Sequence, residues 1–433
     1  VVEAAAGPVP FIASDALATL FAQIAVLVGA AVALGWVARR IGLPAVVGEI
    51  LAGVALGPSL LGQLWPSVER WLFPPEAVQQ NLVDAIGQLG VVLLVGLAGA
   101  ELDLAFVRRQ TRVVSTVGVF AFIVPLAGGI GAGFLIPAHL HADGASPAVL
   151  ALLLGTALSV SAIPVIAKIL TEMGLLHRNV GQLILAVGTT NDAVAWVLLS
   201  VASSMATVGF RTGDLAATLA ATVGAIAVAL VVLGPLMRPL LNRIERSAGA
   251  SVYLMPTCVA FIVACSAATQ ALHLEAILGA FLAGAIVGPR SPKLLAPLRA
   301  VTMTILAPIF LAVAGLRADL SLLADPAVAL TGVALLLVAV SAKFGGAYCG
   351  ARLARRPRWE AIALGSGLNT RGAVEIVIAM TGLRIGVFSS SVYTVIVLIA
   401  IATSVMAPPM LKYAMTRVAS TEEEELRQVS RAA

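Results

Sequence analysis

Long apolar stretches alternate with short polar breaks along almost the whole of this chain, and they run unbroken instead of alternating residue by residue. A helix of about 17 to 25 apolar residues crosses the hydrocarbon core of a bilayer. That length predicts thirteen spans, at about 17–38, 44–62, 82–104, 113–136, 147–170, 180–204, 214–237, 252–271, 275–289, 298–316, 327–350, 359–382 and 388–411. The strands of a membrane barrel would alternate apolar and polar residues. The pattern therefore predicts an all-α polytopic membrane protein.

Two sequence echoes recur at one separation. "AGVALGPS" (52–59) in span two resembles "AGAIVGPRS" (283–291) in span nine, and "AGAELDL" (98–104) in span three resembles "AGLRADL" (314–320) in span ten. Each pair lies seven spans apart, and an odd separation turns the second copy over in the membrane. The expected organisation is one transporter domain over 1–433. In it, repeat one (about 17–204) and repeat two (about 252–411) are inverted copies joined by a linker helix (about 214–237). Such repeats typify secondary transporters, whose sites lie near the midplane where discontinuous helices meet.

Symmetry pairs span five with span twelve, and both contain residues that disfavour a helix. "GTALSVSAIPVIAKIL" places Pro164 after Ser159 and Ser161, where the missing N–H either kinks or breaks the helix. "GSGLNTRGAVEIV" sets Gly365, Gly367 and Gly372 around Asn369, Thr370 and Arg371. Two broken helices would leave helix ends facing one another inside the protein.

Composition confirms the class without changing it: 60% of residues are hydrophobic and 11% charged. The placement of charge carries more information. With the N-terminus outside, only Arg70, Arg211, Arg317 and Arg384 fall on the outer side, and Lys343 and Arg371 fall within the membrane. The other 21 of the 27 Lys and Arg residues share one side. The basic side is cytoplasmic, which puts the N-terminus outside and the C-terminus inside. No signal peptide is read at the start. The stretch 417–433, "TEEEELRQVSRAA" included, reads as a charged, disordered cytoplasmic tail. The three cysteines lie in apolar segments without metal or disulfide spacing and read as buried thiols. "HLH" at 139–141 reads as a solvated loop. No phosphate-binding GxxxxGK[ST] loop or zinc motif occurs, so ATP-driven transport and enzymatic chemistry are not expected. No cofactor, resident metal or nucleic-acid partner is implied.

The decisive group lies in "GTTNDAVAWV" (188–197). Asp192 sits halfway along span six, too deep to reach either surface, and an ionisable residue at that depth marks function by default. A carboxylate there can hold a proton or a metal cation, and their mutual exclusion is the chemistry of antiport. Asn191, Thr189, Thr190, Ser159 and Ser161 supply the oxygen donors that dehydrated Na⁺ or K⁺ requires. Lys343 in span eleven either competes for Asp192 as an ion-pair partner or snorkels to the surface. Arg371 and Glu375, four apart, read as structural charges at the helix break. Asp103 and Asp319 read as structural caps or interface charges, and Glu49 is placed outside the site.

Taken together, "VVGEILAGVALGPSLLG" (46–62), "LGVVLLVGLAGAELDL" (89–104), "SVSAIPVIAKILTEMGLL" (159–176), "NDAVAWVLL" (191–199), "APIFLAVAGLRADL" (307–320) and "GLNTRGAVEIVIAMTGL" (367–383) resemble the cation:proton antiporter-2 family. The resemblance implies a homodimer in a bacterial inner membrane, each protomer having a dimerisation domain and a core domain that moves as an elevator. It assigns the essential aspartate to Asp192, the preceding polar residue to Asn191, the basic residue of the core to Lys343, and the crossed discontinuous helices to spans five and twelve. Many electrogenic relatives carry two adjacent aspartates where this chain has Asn191-Asp192. The single carboxylate resembles electroneutral members, although Lys343 resembles electrogenic ones. "NDAVAW" is most similar to the plant exchangers and their bacterial cousins, which favours K⁺ or mixed Na⁺/K⁺ exchange for protons. The alternatives are a Na⁺-coupled organic-solute symporter of bile-acid-carrier type and a gated channel or sensor.

Overall fold

The computed structural model describes residues 14–100, 111–161, 165–166, 169–170, 173–175, 177–208, 212–247, 250–272, 274–288, 292–421 and 424. Among them every regular element is helical, and the only bridge is an isolated antiparallel pair, His141 with Phe388. The apolar runs become α1 (Ser14–Arg40), α2 (Ala45–Leu56), α3 (Ala77–Ala100), α4 (Thr111–Leu135), α5 (Pro147–Ser159) and α6 (Asn179–Val208). A π-turn, Ala229–Leu233, joins α7 (Thr212–Val228) to α8 (Gly234–Glu245), and a second, Thr302–Leu306, joins α11 (Pro292–Val301) to α12 (Ala307–Leu316). Between them lie α9 (Ala250–Ala271) and α10 (Ala276–Val287), and after them α13 (Pro326–Leu353), α14 (Arg358–Leu368), α15 (Ala373–Arg384) and α16 (Ser390–Met415). Ten of the described helices are long and apolar enough to cross a membrane; Pro147–Ser159 and Ala276–Val287 are shorter apolar helices.

Close backbone approach organises the packing. A Cβ at Gly53 of α2 would collide with the Ala312 carbonyl oxygen and stand 2.8 Å from the Cα of Gly315 on α12. A Cβ at Gly99 of α3 would collide with the Phe281 carbonyl oxygen and stand 3.2 Å from the Cα of Gly284 on α10. Only glycine lets these helices meet at such range, and in both cases one partner belongs to each sequence echo. α1 packs on α2 and α12, and α9 packs on α10. A second set forms around α4, which lies against α5 and α13, with α6, α14, α15 and α16 completing it.

Both predicted interruptions bear on the site. α5 ends at Ser159, and Val160 turns the chain extended at ψ 156; Pro164 lies outside the described residues. α14 ends at Leu368, and α15 starts after Gly372, whose φ of 151 is a conformation that side chains oppose.

Several expectations change. Cys258 is buried, but Cys349 is exposed because it lies on an outward face of α13. Of the 417–433 stretch, residues 417–421 and Glu424 are described, and Glu424 is buried against α6. Asp319 does cap a helical turn, accepting from the Ser321 N–H at 2.9 Å; Asp103 lies outside the described residues.

Candidate cation and proton site

The site forms where α5 stops. Ser159 closes the helix with its hydroxyl donating to the Thr156 carbonyl at 2.8 Å. Two residues later the Ser161 hydroxyl donates to the Leu368 carbonyl at 2.8 Å, tying the end of α5 to the end of α14. The backbone N–H of Ser161, free of any helical partner after the break, hydrogen-bonds the Asp192 carboxylate. One interrupted strand of chain thus holds both the other interruption and the buried acid.

Asp192 is 2% exposed, midway along α6, and its Oδ1 has no hydrogen-bond partner. Asn191 is equally buried, and its Nδ2 is likewise unpartnered. Buried polar atoms nearly always find a partner, which makes Asp192 and Asn191 candidates for engaging a ligand or water. The remaining predicted donors are less engaged with this centre. Thr190 turns back on its own helix, donating to the Ala186 carbonyl at 2.8 Å. Thr189 lies in α6 and its side chain is outside the described residues.

Lys343 is fully buried on α13 and does not snorkel. Its Nζ donates to the Ser159 carbonyl, with Asp192 as an electrostatic neighbour instead of a direct ion-pair partner. Arg371 also reaches this helix end. Its Nη1 donates to the Ala157 carbonyl at 3.1 Å, and its Nη2 to the Leu158 carbonyl at 2.6 Å and to Ala339 of α13 at 3.1 Å. The C-terminal carbonyls of α5 carry partial negative charge, so two cations sit where the helix dipole favours them. Glu375, in the first turn of α15, lies at a helix end that favours an anion and pairs with Arg371 at 3.1 Å. Asp192, Glu375, Lys343 and Arg371 sum to zero formal charge, which makes a four-charge cluster tolerable in a dry interior.

Sequence reasoning missed Asn369 and Ser404. Asn369 caps α14, and both atoms of its buried side-chain amide lack partners. Its place among the glycines of the break was the available signal. Ser404 of α16 donates to the Arg371 carbonyl at 2.5 Å, a contact with no local signature. His141 is used structurally, its Nε2 lying 3.1 Å from the Ile136 carbonyl. Among the described residues no group of three or more His, Cys, Asp or Glu could hold a metal ion.

The sequence profile of the transmembrane sodium/hydrogen exchanger family matches residues 26–417, a stretch that contains every site residue above. The chain belongs to the sodium/hydrogen exchanger family. Within that family it is 32% identical over 407 residues to the Na⁺/H⁺ antiporter NhaS4 of Synechocystis, covering 92% of this chain and 97% of that one. Cation/H⁺ antiporter 18 of Arabidopsis thaliana is 27% identical across 94% of this chain, which spans 51% of that protein. The K⁺/H⁺ antiporter 1 of Saccharomyces cerevisiae is 28% identical across 85% of this chain and 43% of its own length. This exchanger-family chain thus spans about half the length of its plant and yeast relatives. In fold it is similar to the sodium proton antiporter MjNhaP1 of Methanocaldococcus jannaschii, with a TM-score of 0.67 at 13% identity over 93% of this chain and 99% of that one. The resemblance read from the motifs to cation:proton antiporters is borne out, and the protein is an integral membrane protein.

Proposed function

We propose that this protein is a secondary active antiporter that exchanges Na⁺ or K⁺ for protons by elevator-type alternating access, with Asp192 shared between the two. The observation that carries this reading is the buried Asp192 carboxylate, held on one side by Ser161 and unpartnered at Oδ1. A charged group without a counter-ion strongly opposes movement through a low-dielectric barrier. Proton and cation exclude one another at the Asp192 carboxylate, so a core that crosses only with that carboxylate occupied alternates between the two, which is exchange. Asn191, Asn369 and Ser161 supply further polar atoms around the ion, while Lys343 stabilises the ionised carboxylate. With a single carboxylate on α6, one cation exchanges for one proton and transport is electroneutral. No cofactor takes part.

Thirteen spans in two inverted repeats accommodate the fold, and the glycine contacts support this symmetry. Gly53 with Gly315 and Gly284 with Gly99 are close contacts that each join one copy of one echo to one copy of the other, as inverted repeats would require. The two packing groups correspond to a dimerising scaffold (α1–α3 and α9–α12) and a mobile core (α4–α6 and α13–α16). A cavity of about 360 Å³ between Gly42 and Pro44 of the first group and Ile169, Met173, Pro408, Pro409 and Lys412 of the second supports a gap on the basic side. Orientation follows from the charge bias, with the C-terminus cytoplasmic in a bacterial inner membrane. Ion pairs agree with it, since Arg317–Asp84 and Arg384–Glu275 join outer residues and Arg178–Glu424 joins inner ones. Functional assembly is a homodimer.

The test is exchange by the purified protein in proteoliposomes, comparing Na⁺, K⁺ and Li⁺ with and without an imposed membrane potential. Saturable, proton-coupled flux insensitive to potential is the expected outcome; cation flux without proton movement would refute antiport.

A further inference from the structure

The segment after α16 makes contacts that none of the transport chemistry uses, and Glu424 lies beyond the stretch shared with the family. Glu424 is 3% exposed. Its Oε1 accepts the backbone N–H of Asn179, the first residue of α6, at 2.5 Å, and its Oε2 accepts from Arg178 Nε at 3.1 Å and from the Thr421 N–H at 2.9 Å. Arg178 Nη2 in turn donates to the Val418 and Ala419 carbonyls at 2.9 and 3.0 Å. The same segment is pinned a second time at the start of α14. The Arg417 guanidinium lies 4.3 Å from the centre of the Trp359 ring and 4.2 Å from that of Tyr413.

These two anchor points are the cytoplasmic ends of the two helices that build the site. α6 carries Asp192 thirteen residues after Asn179, about 20 Å along the axis at 1.5 Å per residue. α14 carries Leu368 and Asn369 at its far end. An α-helix begins with N–H groups that have no internal partner and with partial positive charge, so a carboxylate there fixes both its hydrogen bonding and its dipole. We propose that Glu424 is a positioning residue for transport: by capping α6 from the tail it fixes the register of α6 against α14, and hence where Asp192 stands relative to Ser161 and Asn369. This inference rests on the antiport reading of Asp192.

The groups facing Glu424 are Arg178 at the start of α6 and, on α14, Glu360, itself paired with Arg356 at 3.6 Å. Burial alone would push the Glu424 carboxyl up, but the N–H groups of Asn179 and Thr421 and the Arg178 guanidinium outweigh it and hold the group below its ordinary value. A carboxyl lowered in the folded state contributes stability above its unfolded value and loses it as pH falls through the folded one. The strap therefore stays docked throughout the neutral range and works as a permanent brace.

The test uses full-length protein and the variants Glu424→Ala, Glu424→Gln and Arg178→Ala. Glu424→Ala is expected to raise the KM for the transported cation three- to tenfold with a smaller change in kcat, and to speed amide exchange at residues 179–182. Glu424→Gln keeps an oxygen acceptor for Asn179 and is expected to restore most of the wild-type KM. Arg178→Ala combined with Glu424→Ala should do little more than either alone. Amide exchange is read without transport, so its failure bears on the strap and the loss of all wild-type exchange bears on the antiport reading. Unchanged protection at 179–182, or faster exchange there with an unchanged KM, overturns the proposal.

Discussion

Ser161 and Leu368, 207 positions apart, are joined by a 2.8 Å hydrogen bond from the serine hydroxyl to the leucine carbonyl. That bond links the two interrupted helices, and the same serine presents its backbone N–H to Asp192. Ser161→Ala leaves the backbone contact in place and strips the Leu368 carbonyl of its partner. Leaving a buried acceptor unsatisfied costs about 1–3 kcal/mol. The expected outcome is a lower melting temperature together with a raised KM for the cation, measured by thermal unfolding in detergent and by proteoliposome flux.

The Arg371–Glu375 pair predicts an asymmetry. Arg371 is held by three carbonyls besides Glu375, so Glu375→Gln leaves the cation with partners. Arg371→Met instead leaves Glu375 buried and uncompensated and uncaps α5. Removing one partner of a buried pair costs about 3–5 kcal/mol in soluble proteins, and Arg371→Met should approach that while Glu375→Gln stays below it. Comparing the folded yield and unfolding temperature of the two variants checks the order.

Lys343 donates to the Ser159 carbonyl and acts on Asp192 through space. Lys343→Met should leave a folded protein, because an apolar chain of similar length fills the site. Loss of the cation favours the protonated form of a nearby carboxyl, so half-maximal exchange should move to higher pH. A pH series of proteoliposome flux reads this directly; an unchanged profile would give Lys343 a packing role only.

Gly53→Ala should prevent α2 and α12 from meeting, since the added Cβ collides with the Ala312 carbonyl oxygen. Overpacking of this kind costs about 1–3 kcal/mol or more where backbone must move. Gly131→Ala in α4 meets nothing within 4 Å and should be tolerated. Size-exclusion profiles and unfolding temperatures of the pair provide the comparison.

How much of this was legible in the sequence follows from the range over which each feature acts. Helix positions were readable because a lipid-crossing segment must be apolar along its length, and the break at Asn369–Gly372 was readable because its residues disfavour a helix locally. Asp192 stood out because charge at mid-span has no local excuse. The Arg371–Glu375 pairing was readable as an i, i+4 spacing, whereas the carbonyls of Ala157 and Leu158 that Arg371 caps lie more than two hundred residues away. For the same reason Lys343 was read as a partner of Asp192 or as a snorkelling lysine, when its ammonium is directed at the end of α5. Residue type makes Thr190 an oxygen donor for an ion, and the sequence does not show that its hydroxyl proton goes to the carbonyl one turn back, a bond that leaves the oxygen able to accept. Glu424 sits in an acidic run whose composition resembles a solvated tail, and only the fold brings α6 to it.

The central claim is that proton and cation compete for Asp192, and proton release on cation binding tests it most directly. Purified protein in weakly buffered detergent solution is titrated with NaCl or KCl, with choline chloride as the control, while pH is recorded. Wild-type protein is expected to release about one proton per protomer as the cation binds, and Asp192→Asn none. Equal proton release from the Asp192→Asn protein, or cation binding by the wild type without any release, would contradict the account.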